Sequence, residues 1–78
     1  MIPERLTNLI FKELQIDSVP VDESTSADQI PGWDSLSHAR IICAIEAEYG
    51  IHFKMIEVIR LKSIGDLSAL VHQKLADL

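Results

Sequence analysis

Apolar residues recur along this chain at the spacing of α-helices. The periodicity predicts four helices: about residues 3–15, about residues 35–49, a short one over Met55–Arg60, and a last one starting at Ser63. Pro3 suits the first turn of a helix, and Gly50 suits the end of one. The stripes predicted to face the core are Leu6, Leu9, Ile10 and Leu14, then Ile41, Ile42, Ile45 and Tyr49, then Leu67, Leu70, Val71 and Leu75.

Other apolar residues lie outside these stripes. Phe11 falls beside the first stripe, and we expect it to pad the helix edge rather than touch a partner. In the short third helix, partial burial is expected for Val58, Ile59 and Leu61. The connection over residues 16–34 is long and rich in turn-forming residues. Apolar residues are spaced through it as possible anchors, which indicates an ordered loop: Val19, Val21, Ile30 and Trp33.

These elements predict an all-α fold, a small four-helix bundle with three longer helices, a short third helix and a long first loop. With 78 residues, the chain is expected to form a single domain over residues 1–78 and to be a monomer. The one cysteine excludes an internal disulfide, and no metal site is predicted. The formal charge of −5 argues against a nucleic-acid partner. No signal peptide or membrane span is predicted, so a cytoplasmic location is expected.

The candidate chemistry lies where the second helix begins. Asp34 is a good N-cap residue, and Ser35 then occupies the first helical position. A helix N-terminus carries partial positive charge and unpaired N–H groups, so a phosphate attached to Ser35 would be stabilised there. The sequence therefore predicts a serine displayed for modification rather than a serine buried for catalysis.

The motif Gly32-Trp33-Asp34-Ser35-Leu36, followed by Ile41, Ile45-Glu46 and Tyr49-Gly50-Ile51, resembles the acyl carrier protein family. The opening helix and the closing segment Lys62–Leu67 fit the same family, so the resemblance covers nearly the whole chain. It implies that Ser35 carries 4′-phosphopantetheine, which a phosphopantetheinyl transferase adds from coenzyme A. Asp34 would cap the helix and orient Ser35. The thiol of the arm would hold an acyl or aminoacyl thioester, and the chain would be a carrier and not an enzyme.

The resemblance also implies partner enzymes that load the carrier and use its cargo, namely acyl- or aminoacyl-loading enzymes and a downstream acyltransferase or synthase. A strip on the second helix, formed by Leu36, Ala39, Cys43 and Ala47 beside Ser35, is a candidate docking surface, or else a second buried face against the long loop. The resemblance favours docking. The predicted docking residues are Leu36, Ala39, Arg40, Cys43, Glu46 and Ile56.

Two other interpretations compete with a carrier. Ser35 and His38 are neighbours on a helix and could form a hydrolytic dyad, but an exposed first turn offers no oxyanion hole or water-excluding pocket. His38 is instead expected at the surface, where it could modulate docking. The alternative to a carrier is an unmodified helical adaptor, in which Asp34 and Ser35 only cap a helix.

Overall fold

The computed structural model describes residues 2–78, and these contain four α-helices and no strand. The helices are α1 (Glu4–Leu14), α2 (Ser35–Tyr49), α3 (Met55–Ile59) and α4 (Ile64–Ala76). A 3-10 turn over Ala27–Gln29 interrupts the long connection between α1 and α2. None of the helices in this part of the chain has the length and apolar character needed to cross a membrane. The predicted all-α class and the order of the four helices are confirmed.

Local sequence sets where the first two helices begin and end. Pro3 is the N-cap of α1, so the helix begins at Glu4, one position after the predicted start. The carbonyl of Pro3 accepts from the backbone N–H groups of Leu6 and Thr7 at 3.1 and 3.3 Å. The helix ends where Gln15 takes a left-handed conformation with φ 57°. The α2 helix ends at Gly50 with φ 66°, a conformation that costs glycine no steric strain.

The core is built where α1 and α2 pack together. Leu6 and Ile10 of α1 and Ile41 and Ile45 of α2 are at most 1% exposed. Burial of this kind stabilises by roughly 1.5–3 kcal/mol for each large aliphatic side chain. The buried residues that form one cluster are Leu6, Ile10, Ile41, Ile42, Ile45, Ile51, Leu67 and Val71.

Phe11 packs within the bundle, as expected, and is buried because α1 is covered over a wider face than one stripe. Two predictions of burial were wrong. Ile59 was expected to be partly buried but is 69% exposed, since α3 is only five residues long and turns Val58 inward instead. Leu75 is also exposed. The buried stripe of α4 starts one turn earlier than predicted, at Ile64, and ends at Val71.

The long connection is ordered by backbone bonds to the start of α4. The backbone N–H of Ile64 donates to the carbonyl of Thr25 at 2.8 Å, and that of Gly65 donates to the carbonyl of Glu23 at 3.0 Å. The carboxylate of Asp22 closes the turn by accepting from the backbone and hydroxyl of Ser24. These hydrogen bonds lower the pKa of Asp22 below its ordinary value. The predicted anchors Ile30, Val19, Val21 and Trp33 are buried or half-buried, so the ordered loop is confirmed.

We expect Gly65→Ala to destabilise the fold. A Cβ atom at this position would lie 2.6 Å from the Glu23 carbonyl oxygen and 2.9 Å from its Cβ, so the loop would have to move. Alanine has a higher helix propensity than glycine by about 1 kcal/mol, so a loss of stability would have to come from this clash. The expected loss is about 1–3 kcal/mol, measured by urea unfolding. Ala69→Gly, on an exposed position of α4, gives the propensity term alone as a control. A Gly65→Ala variant that is more stable than wild type would contradict the close approach.

Candidate functional site

The first turn of α2 is held by Asp34. Its backbone is extended (φ −112°, ψ −171°), and its Oδ1 atom accepts from the backbone N–H of Ser37 at 2.8 Å. The carbonyl of Asp34 accepts from the backbone N–H of His38 at 2.8 Å. The hydrogen bond from Ser37 holds the pKa of Asp34 below its ordinary value, because it stabilises the charged carboxylate. The predicted N-cap is therefore observed.

Ser35 is the first residue of α2, and its side chain is exposed. It borders an open cleft of about 450 Å³ that also involves the 3-10 turn. The residues that line this cleft are Ala27, Asp28, Trp33, Asp34, Ser35 and His38. A hydroxyl in this place is open to a large partner, and the unpaired N–H groups of the first helical turn lie beside it. This is the geometry of a displayed serine.

His38 does not lie free at the surface as predicted. It is half-buried, and its Nδ1 atom accepts a hydrogen bond from the indole Nε1–H of Trp33 at 3.0 Å. The two ring centroids are 5.9 Å apart at an angle of 33°. Burial lowers the pKa of His38 below its ordinary value. The reason is helical geometry: His38 precedes Ile41 and Ile42 by one turn and so starts on the core-facing side.

The same bond argues against a hydrolytic dyad. When Nδ1 of a neutral imidazole accepts, the ring proton is on Nε2, so neither nitrogen of His38 is left as a base for the Ser35 hydroxyl. A general base needs an available acceptor atom within hydrogen-bond reach of the proton it removes. The competing interpretation, a nucleophilic serine activated within this chain, is not supported by the geometry.

The strip beside Ser35 faces away from the core. Leu36 is 70% exposed, and the other strip residues Ala39, Cys43 and Ala47 are also exposed. The interpretation of this strip as a second buried face against the loop was therefore wrong. Arg40 is exposed next to it. On α3 the exposed apolar side chains are Met55, Ile56 and Ile59.

Glu46 differs from the other predicted docking residues. It is half-buried, and its Oε2 atom accepts from the backbone N–H of Phe53 at 2.8 Å. His52 lies 3.8 Å from the same oxygen through its Nδ1 atom. Glu46 thus holds the segment that follows α2 while Leu36 and Ala39 are open to solvent.

Sequence reasoning missed the contact between Trp33 and His38. Counted from the N-cap Asp34, Trp33 is at N′ and His38 at N4, which are the two positions of a hydrophobic staple. That spacing was the available signal. It was missed because a histidine near a helix start was assigned to the surface by residue type and not by its place on the helix.

Comparisons with known proteins agree with the geometry. Residues 4–71 match the family described as "Phosphopantetheine attachment site". The solution NMR structure of a holo acyl carrier protein from Geobacter metallireducens is similar, with a TM-score of 0.88 and 40% sequence identity. The similarity covers 95% of this chain and 85% of that one. No curated protein sequence matches at a significant level.

We expect Asp34→Ala to lower the melting temperature by several degrees, roughly 4–8 °C, because the N-cap of α2 is lost. Asp34→Asn keeps an acceptor for the Ser37 N–H and should lose only the part of the stability that depends on the charge, which makes it the matched control. Since the pKa of Asp34 is lowered in the folded state, its charge contributes stability at neutral pH, and this is lost as the pH falls below about 4. Thermal unfolding at pH 7 and pH 3 measures both effects. An alanine variant that melts with wild type would show that the cap is not stabilising.

Proposed function

This chain belongs to the acyl carrier protein family, whose members hold phosphopantetheine covalently, and from that premise we propose that Ser35 is its attachment residue. The observation that carries the proposal is the exposed Ser35 hydroxyl at the first position of α2, next to the Asp34 cap. The residues present fit the group, because a phosphodiester on this hydroxyl would lie at the positive end of a helix of 15 residues.

In the proposed modification, the Ser35 oxygen attacks a phosphorus atom of coenzyme A supplied by a phosphopantetheinyl transferase. An oxygen–phosphorus bond forms at Ser35, and the bond between the two phosphates of coenzyme A breaks, so that adenosine 3′,5′-bisphosphate leaves. The hydroxyl proton goes to a base of the transferase, since His38 offers no free acceptor. Asp34 fixes the backbone that follows the hydroxyl by holding the N–H groups of Ser37 and His38.

The arm supplies a terminal thiol that holds an acyl or aminoacyl group as a thioester. The protein contributes presentation: a stable bundle, a displayed hydroxyl and a surface that partner enzymes bind. We propose that residues 1–78 act as one carrier domain and as a monomer in the cytoplasm, where coenzyme A and its transferases occur. The proposed partners beyond the transferase are the acyl- or aminoacyl-loading enzyme and a downstream acyltransferase or synthase.

The proposed docking surface starts beside Ser35 and is mainly apolar. Leu36 is the exposed large apolar side chain of α2, and Arg40 places a positive charge next to the strip. Contiguous exposed apolar surface is typical of sites of protein association, which supports the proposal. The residues assigned to docking are Leu36, Ala39, Arg40, Cys43, Glu46 and Ile56. Because Glu46 accepts a hydrogen bond from the backbone of Phe53, it would also support the docking surface by holding the segment that follows α2.

The attachment residue is tested by mass spectrometry. Incubation with a broad-specificity transferase and coenzyme A is expected to add one phosphopantetheine to the wild-type chain and none to Ser35→Ala. Ser37→Ala, two residues further into α2, is the matched control and should be modified. Modification of the Ser35→Ala variant would assign the arm to another residue. An unmodified wild-type chain would favour the adaptor interpretation.

The charge of Arg40 is expected to influence which partners load the carrier. A basic side chain beside the strip should repel enzymes whose carrier-binding surfaces are rich in lysine and arginine. Arg40→Glu should then speed loading by such an enzyme roughly 1.5- to 5-fold, the range for a solvated ion pair. The gain should shrink at high salt, because screening weakens exposed charges. Arg60→Glu, on an exposed position after α3, controls for net charge. Equal loading rates for Arg40→Glu and wild type at low salt would exclude this role.

A further inference from the structure

Ser35 lies in the chain between two side chains that are bonded to each other. Trp33 and His38 are both half-buried, and the 3.0 Å hydrogen bond between them spans five residues across the start of α2. They occupy the N′ and N4 positions of the helix, where a staple fixes the angle at which the chain enters the first turn. Here the staple consists of two rings with a directional bond added.

The Trp33 ring links this staple to the interior. It packs against the core cluster formed by the buried residues of α1, α2 and α4, while its indole N–H reaches His38. Through Trp33, the segment that carries Ser35 is therefore fixed in position relative to the core. The cap made by Asp34 holds only the backbone downstream of the serine, at Ser37 and His38. Upstream, the chain is held by Trp33.

We propose that Trp33 and His38 are positioning residues for the attachment of phosphopantetheine: their hydrogen bond holds the Ser35 hydroxyl where a transferase can use it. This inference rests on the proposed function of Ser35. Neither side chain has to touch the donor, since both act through the geometry of the segment between them. A displacement of about 1 Å at a reacting group can cost roughly 100-fold in rate, so a bond of this kind is sufficient to matter.

The bond depends on pH in a definite direction. His38 accepts at Nδ1 only while it is neutral, so the bond is lost as the pH falls through the pKa of His38. Burial lowers that pKa, which places the loss below about pH 6.5, the ordinary value for histidine. The titratable groups that line the cleft with His38 are Asp28 of the 3-10 turn and Asp34. Hydrogen bonding to the first turn of α2 lowers the pKa of Asp34 below its ordinary value, so its titration is separate from that of His38.

The first test compares modification rates at pH 7.5 with one transferase and coenzyme A. His38→Ala removes the acceptor and Trp33→Phe removes the donor. Each should lower the kcat/KM of the transferase for the carrier roughly 10-fold or more. His38→Gln restores an acceptor, so its kcat/KM should stay within about 2-fold of wild type. The double variant should be no slower than either single one, because both lose the same bond. His72→Ala, at an exposed position of α4, is the control.

The second test needs no transferase. Trp33 is the only tryptophan, so its indole N–H gives a single resonance in a nitrogen-correlated NMR spectrum. In the unmodified protein this resonance should shift as the pH falls below about 6.5, and it should not shift over that range in His38→Gln. The ratio of wild-type to His38→Gln modification rates should fall over the same range, since titration of the transferase cancels in the ratio.

The outcomes are distinct. A wild-type chain that takes no arm overturns the proposed function and this inference together. A wild-type chain that is modified, with His38→Ala and Trp33→Phe modified equally fast, overturns the inference alone. If His38→Ala does not fold, the second test decides. The inference is rejected if the Trp33 indole resonance of the wild type and the ratio of wild-type to His38→Gln modification rates both stay constant from pH 8 to pH 5.

Discussion

The packing of α2 against α1 is the constraint on which the rest of the molecule depends. Ile41 and Ile45 are fully buried against a face of α1 that includes Leu6 and Ile10. At 100° per residue, burying these isoleucines fixes the rotation of α2 about its own axis. The positions about 150° away on the helix, those of Leu36, Ala39, Cys43 and Ala47, must then face solvent. The exposed strip is a consequence of the core and not an independent feature.

The same rotation decides what happens at the start of α2. His38 falls on the core side of the helix, close enough to be half-buried, and Ser35 falls on the border between the core side and the strip. The first turn lies beyond the buried isoleucines, so its order has to come from local bonds. Asp34 supplies these from the N-cap, and Trp33 supplies them from the loop. The loop is itself held at Gly65, where α4 begins.

Much of this could be predicted from the sequence, because the signals were local. Helical periodicity predicts that α2 is a helix, and the capping residues Asp34 and Gly50 predict where it begins and ends. The errors came from relations between elements. The exposure of Ile59 and of Leu75 depends on which neighbours cover each helix. The bond between Trp33 and His38 can be predicted only when the N′ and N4 spacing is combined with the donor and acceptor chemistry of the two rings, since neither residue alone indicates a partner.

The Ser35 hydroxyl is exposed, but the side chains around it do not activate it. The hydroxyl of Ser35 is open to solvent, but the one histidine nearby has its Nδ1 atom bonded to Trp33, and Asp34 directs a carboxylate oxygen at the helix backbone. His38 therefore has no free acceptor for the serine proton, and we expect reaction to wait for a partner that brings a base. A carrier must also leave each partner after transfer, which favours a small interface. Alanine and cysteine side chains bury little area when a partner binds. Because affinity reflects only the interaction free energy in excess of the cost of association, such a surface binds weakly. A tethered cargo tolerates such weak docking, because the tether itself raises its local concentration at the enzyme.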